Sequence, residues 1–156
     1  MNIGIIVFSE TGNTKGVADL LEQKLSAAGH SVKTEQVVPE GNAKPGMRNI
    51  KFSLKPIAGP YDGVIFASPV QAFSLAAGMK TYLQQVDSLK NKKIAAVVTK
   101  QLPGKWTGGN QAIGGIKKLC RKAGGSLAES GIIVWSSPKR VQMIEEVTNR
   151  VTECFR

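Results

Sequence analysis

The feature that most constrains this chain is a succession of short strand-like runs separated by stretches with helical spacing. Asn2–Phe8, Gly63–Ala67 and Lys93–Thr99 are continuously apolar at their centres, and Ser31–Val38 and Leu127–Trp135 complete a set of five. Continuous apolar runs, rather than alternating ones, belong to strands covered on both faces. After the first run, Val17, Leu20, Leu21, Leu25 and Ala28 fall on one helical stripe, and Gly29 supplies a helix stop. Leu75, Met79, Tyr82, Leu83 and Val86 mark a second helix. Ile113, Ile116, Cys120 and Ala123 mark a third, and Ile144, Val147, Thr148, Val151 and Phe155 a fourth. Residues 39–60 read as a long loop with a short extended piece at Ile50–Leu54, and Ser68-Pro69 reads as the end of the third strand.

Strands alternating with helices predict an α/β fold with a parallel, doubly wound sheet, in three α/β/α layers. Five strands suggest the order 2-1-3-4-5, which places a ligand site at the carboxyl ends of the first and third strands. With 156 residues, the chain suits a single domain over residues 1–156, without internal repeat or linker.

The loop at that predicted site is Ser9-Glu10-Thr11-Gly12-Asn13-Thr14. Three hydroxyls and a glycine at a helix N-terminus offer N–H groups and a favourable dipole to an anion, so a phosphate can be held without a lysine. The alternative is that Asn13 or Thr14 merely caps the helix. Thr-Gly-Asn-Thr exceeds what one cap requires.

This loop, directly after an apolar first strand, resembles the phosphate loop of flavodoxins, of the form Ser/Thr-x-Thr-Gly-x-Thr. Tyr61 to Val70 is similar to the third strand and following loop of flavodoxin-like proteins. Gly108-Gly109 is similar to glycines of their second flavin-facing loop. The resemblance implies a flavodoxin-like fold and noncovalent FMN. Ser9, Thr11, Gly12, Asn13 and Thr14, with Glu10 in the same loop, would surround the phosphate. Pro69, Val70, Gln71, Ala72 and Phe73 would flank one side of the isoalloxazine. The loop from Gln101 to Gly109 would flank the other, with Gly108 and Gly109 permitting close backbone approach.

Trp106, in a polar Gly-rich loop, is the first candidate to stack on the ring, the alternative being a surface indole. Phe73 is the second, the alternative being a staple at the next helix. Trp135, Tyr61 and Tyr82 read as structural, His30 as solvent-exposed and Cys120 as a buried thiol. The family's glycine beside the flavin N5, whose peptide turns over on one-electron reduction, has no counterpart between Ser68 and Ala77.

The resemblance implies an electron carrier between protein partners. A second reading is an NAD(P)H-dependent two-electron reductase acting on a quinone or similar acceptor. A third is a charge-driven anion or nucleic-acid binding module. Charge bears on all three. The chain carries +10, and residues 41–128 hold 14 basic against 2 acidic residues, a net +12. Many carrier flavodoxins are acidic, so this chain departs from them. A basic field suits an acidic redox protein or a nucleotide phosphate. Nucleic acid lacks support, because no aromatic-basic interleaving or nucleic-acid motif is present. A dinucleotide fingerprint, an NTP-binding P-loop and a metal-binding Cys/His cluster are all absent from the sequence. No apolar run approaches a membrane span and no signal peptide is evident. The expectation is therefore a cytoplasmic protein, monomeric or homodimeric.

Overall fold

A computed structural model describes residues 1–156. Its elements are β1 (Asn2–Val7), α1 (Asn13–Ala27), β2 (Ser31–Gln36), β3 (Val38–Pro39), β4 (Phe52–Leu54), β5 (Gly63–Gln71), β6 (Ser74–Leu75), α2 (Ala77–Gln85), β7 (Lys93–Lys100), α3 (Gly109–Lys122), β8 (Leu127–Val134) and α4 (Arg140–Cys154). Five strands pair in parallel in the order β2-β1-β5-β7-β8, which is the predicted 2-1-3-4-5 arrangement.

The continuous apolar runs are explained by the two cores they feed. Even positions of β1 and β5 (Ile6, Val64, Phe66) join Ala96 and Val98 under α2 and α3, where Met79, Tyr82, Ile116 and Cys120 are buried. The alternate positions (Ile3, Ile5, Ile65, Val97) meet Val17, Leu21 and Leu25 of α1 and Val147 and Val151 of α4. Each fully buried aliphatic side chain contributes about 1.5–3 kcal/mol. Tyr82 is buried whole because its hydroxyl donates to the Pro56 carbonyl at 2.6 Å. Burial pushes the Cys120 thiol up to about 12. No helix is long and apolar enough to cross a membrane.

Four sequence expectations need correction. The third strand does not stop at Ser68-Pro69: β5 runs on to Gln71 and folds back as a hairpin onto β6, with Val70 opposite Leu75. Pro69 is tolerated for a reason of register. Ala67 accepts a bond from the Phe8 N–H, so Pro69, two residues on, faces the same side, where β1 has already left the sheet. The missing N–H therefore deletes no ladder bond. Consequently Leu75 is a strand residue, and α2 begins later, at Ala77. In the 39–60 loop the extended piece is Phe52–Leu54, paired antiparallel with Val38–Pro39. His30 is half-buried instead of exposed, with Nδ1 3.1 Å from the N-terminal amine.

Candidate functional site

The carboxyl ends of β1, β5 and β7 meet where the strand order reverses, between β1 and β5. There the chain passes from β1 through residues 8–12 into α1. Gly12 is the N-cap, in the left-handed region at φ 92°, and a Cβ on it would meet nothing within 4 Å. The cap interaction comes from neither Asn13 nor Thr14. Ser9 Oγ accepts from the N–H groups of Gly12 (3.2 Å) and Lys15 (3.3 Å). This leaves the N–H groups of Thr11, Asn13 and Thr14 without an acceptor in the chain. Unpaired donors at a helix start, beside an open glycine, are a donor set suited to a phosphate oxygen. Glu10 is the one anionic side chain in the loop.

Thr14 contributes its N–H but directs its hydroxyl inward. The residue is buried, and its Oγ1 lies 2.8 Å from Thr99 Oγ1, tying the loop to the end of β7.

Above the loop lies a cleft of about 140 Å³ lined by Glu10, Thr11, Asn13, Pro69, Val70, Gln71, Thr99, Lys100, Gln101 and Trp135. A second recess of about 170 Å³ shares Val70, Lys100 and Gln101 with it and adds Ala72, Phe73, Leu102 and Thr107. The two recesses together bring the first loop, the 69–73 segment and Gln101 into one place.

The 69–73 segment is a tight two-residue turn. Ala72 (φ 45°) and Phe73 (φ 61°) both hold positive φ without being glycine, as a type I′ hairpin requires. Phe73 is not a staple on the next helix. It sits at the hairpin tip, 57% exposed. The Gln71 side chain anchors the hairpin, accepting from the Ala77 N–H at 3.0 Å and donating to the Ala43 carbonyl at 3.3 Å.

The loop after β7 is held shut on itself. Lys100 Nζ donates to the Gly104 carbonyl (2.7 Å) and to Thr107 Oγ1 (2.8 Å), and the Thr107 hydroxyl lies 2.9 Å from the same carbonyl. Gly108, at φ 102°, caps α3. A Cβ there would lie 2.5 Å from the Phe73 carbonyl carbon. Gly108 is therefore the joint between this loop and the hairpin. Gly109 packs behind it, where a Cβ would come within 3.1 Å of Ile132.

The two tryptophans exchange places relative to expectation. Trp106 is 85% exposed and lines neither recess. Trp135, expected in the core, packs against one core with part of its ring and lines the cleft with the rest. Arg140 stacks over that ring at 5.0 Å and donates to the Trp135 carbonyl at 2.9 Å. Trp135, Thr99 and Lys100 are the site residues that sequence reasoning missed. The signal was available, since all three lie at the carboxyl end of a strand, where the other site residues also lie.

These features define a doubly wound α/β protein with a turn of unpaired N–H donors at its topological switch point. The fold is that of the flavodoxins. The chain is similar to flavodoxin 2 from Bacillus cereus (TM-score 0.71, 19% identity, covering 99% of this chain and 97% of that one). It is similar to Megasphaera elsdenii flavodoxin in its two-electron reduced form (TM-score 0.68, 17% identity, 97% and 98% covered). It is also similar to a Lactobacillus acidophilus flavoprotein solved in complex with FMN (TM-score 0.65, 13% identity, 94% and 98% covered). No protein-family profile and no curated sequence matches the chain.

Proposed function

We propose that the chain binds FMN noncovalently and carries electrons between partner proteins. The observation that carries this reading is the set of three unpaired N–H groups, of Thr11, Asn13 and Thr14, around the open Gly12 at the switch point. The fold neighbours, one of them in complex with FMN, support the choice of ligand.

In this reading the first turn of α1 takes the phosphate, and the helix dipole adds to its hold. Thr99 keeps the turn in position through Thr14. Pro69, Val70 and Trp135 give the ring apolar walls, and Gln71 and Gln101 offer polar edges. Lys100, committed to its own loop, keeps residues 101–107 folded back beside the recess. Bound FMN would supply the redox chemistry, and the protein sets access and potential. The basic field of residues 41–128 favours an acidic redox partner.

A second reading, a two-electron reductase using NAD(P)H, is favoured by the turn at Ala72-Phe73. It has no glycine whose peptide can turn over on one-electron reduction.

The test is a titration of flavin-free protein with FMN, following flavin fluorescence, with riboflavin as control. Tight quenching by FMN and much weaker quenching by riboflavin are expected. Replacing Glu10 by Gln removes a like charge beside the phosphate and should tighten FMN severalfold while leaving riboflavin unchanged. Equal affinity for the two flavins would overturn the phosphate assignment. Steady NADPH or NADH oxidation with a quinone acceptor would replace the carrier by the reductase.

A further inference from the structure

Along the hairpin, beside the flavin cleft, lies a larger groove, of about 440 Å³. It runs between residues 45–49, the β5–β6 turn and α2. This is a volume suited to a ligand of nucleotide size. Its lining contains Arg48 and Lys80 and no acidic residue. Neither cation forms an ion pair: the five salt bridges of the molecule lie elsewhere. Both charges are thus free to meet a ligand.

Thr81, next to Lys80 on α2, lines the same groove. Its residue surface is 3% exposed, yet its hydroxyl hydrogen-bonds to nothing in the chain. A helical threonine ordinarily returns its hydroxyl to the carbonyl one turn back, as Thr148 and Thr152 do here. Nor is the atom sealed in the interior, because the single sealed and unpartnered side-chain atom is His30 Nε2. The hydroxyl therefore opens on the groove. A nearly buried polar group without a partner is costly unless something supplies one. Met47 and Leu75 add apolar surface beside this polar set.

We infer that this groove is a second binding site, for a small organic phosphate. Arg48 and Lys80 would neutralise the phosphate monoester, Thr81 would donate to one of its oxygens, and Met47 and Leu75 would pack the organic body. Two cations and a hydroxyl make charge-assisted contacts that neutral ligands cannot use. The groove is independent of the proposed flavin phosphate turn, with which it shares no residue. Gln71 is common to the groove and the flavin cleft, and Ala72 to the groove and the recess beside that cleft.

The experiment titrates the full chain with 2′,5′-ADP, with and without saturating FMN, following backbone amide shifts by NMR at fixed salt. Saturable shifts at Lys80, Thr81 and Gln84 are expected in both cases. The paired substitution Arg48→Gln and Lys80→Gln should weaken binding by about tenfold or more, and Thr81→Val by about threefold. FMN affinity should be the same in all these variants, so a failed flavin reading and a failed groove are told apart. Inorganic phosphate should bind more weakly, because it lacks the body that Met47 and Leu75 contact. Shifts confined to Thr11–Thr14, displacement of the probe by FMN, or affinity unchanged in the paired variant would each overturn the second site. Equal affinity for inorganic phosphate would overturn the organic ligand.

Discussion

Two helices of this protein begin in the same way and do opposite work. Thr11-Gly12 precedes α1 and Thr107-Gly108 precedes α3. Both glycines are N-caps in the left-handed region, at φ 92° and 102°, and neither helix has a side-chain bond from its cap residue. Around Gly12 a Cβ would find open space, while at Gly108 it would strike the Phe73 backbone. The Thr11 hydroxyl has no partner in the chain, whereas that of Thr107 is held between Lys100 and loop carbonyls. One turn is left open above its glycine, as the proposed phosphate site requires, and the other is closed as a structural joint. The lesson is that a Thr-Gly helix start offers donors in either case. What decides its use is whether another piece of chain has already taken the space above the glycine.

Substitution of the two glycines is the sharpest way to break this comparison. Gly108→Ala combines left-handed strain with a collision against backbone that cannot swing away, and should destabilise by about 3 kcal/mol or more. Urea unfolding of the variant measures it, and an unchanged midpoint would refute the joint. Thr14→Val leaves the Thr99 hydroxyl buried without its partner and should cost about 2 kcal/mol. In a double-mutant cycle the added Thr99→Val should cost less than it does alone; simple additivity would mean that the pair is not coupled. Gly12→Ala meets only the strain, about 1 kcal/mol. Its larger consequence should be on FMN, because the new methyl group projects into the open space. Ser9→Ala removes the acceptor for two helix N–H groups and should cost about 0.5–1 kcal/mol in the same unfolding assay.

A last effect is one of pH, and it belongs to α3. The Cys120 thiol is held near 12 by burial, above its ordinary value of 9.0. The folded state favours the neutral thiol, so its contribution is complete below pH 9 and is lost as pH rises towards 12. Stability of the wild type should fall across that window more steeply than that of Cys120→Ala. Parallel curves would show that the thiol ionises equally in both states.

Most of the fold could be read in advance because burial on both sheet faces leaves a plain mark: Ile3 to Val7 and Ile94 to Val98 have no polar interruption. The hairpin at 69–75 could not. Its turn residues, Ala72 and Phe73, carry none of the glycine or asparagine that announces a type I′ turn. Pro69 looked like a strand end, and only the register shows that its missing N–H faces a side with no neighbour. In the site, the Ser9–Thr14 loop was recognisable from composition and position. That Ser9 caps the helix, and that Thr14 turns its hydroxyl to Thr99, depends on contacts 6 and 85 residues apart in sequence. Such distances are set by folding and carry no local pattern. Trp135 was misread because one residue separates a strand's last core position from the rim of a cleft.

The division of the core between two sheet faces also has a history in time. The buried residues of the face under α2 and α3 have all been made by residue 122, but the face shared by α1 waits for Val147 and Val151 of α4. Lys24 of α1 marks the same delay, since its partners, Glu145, Thr148 and Asn149, are all in that last helix. A chain leaving the ribosome therefore displays Ile3, Ile5 and Val97 on a sheet face that only α1 can cover. It is during that interval, and not in the finished protein, that the molecule is most exposed to aggregation.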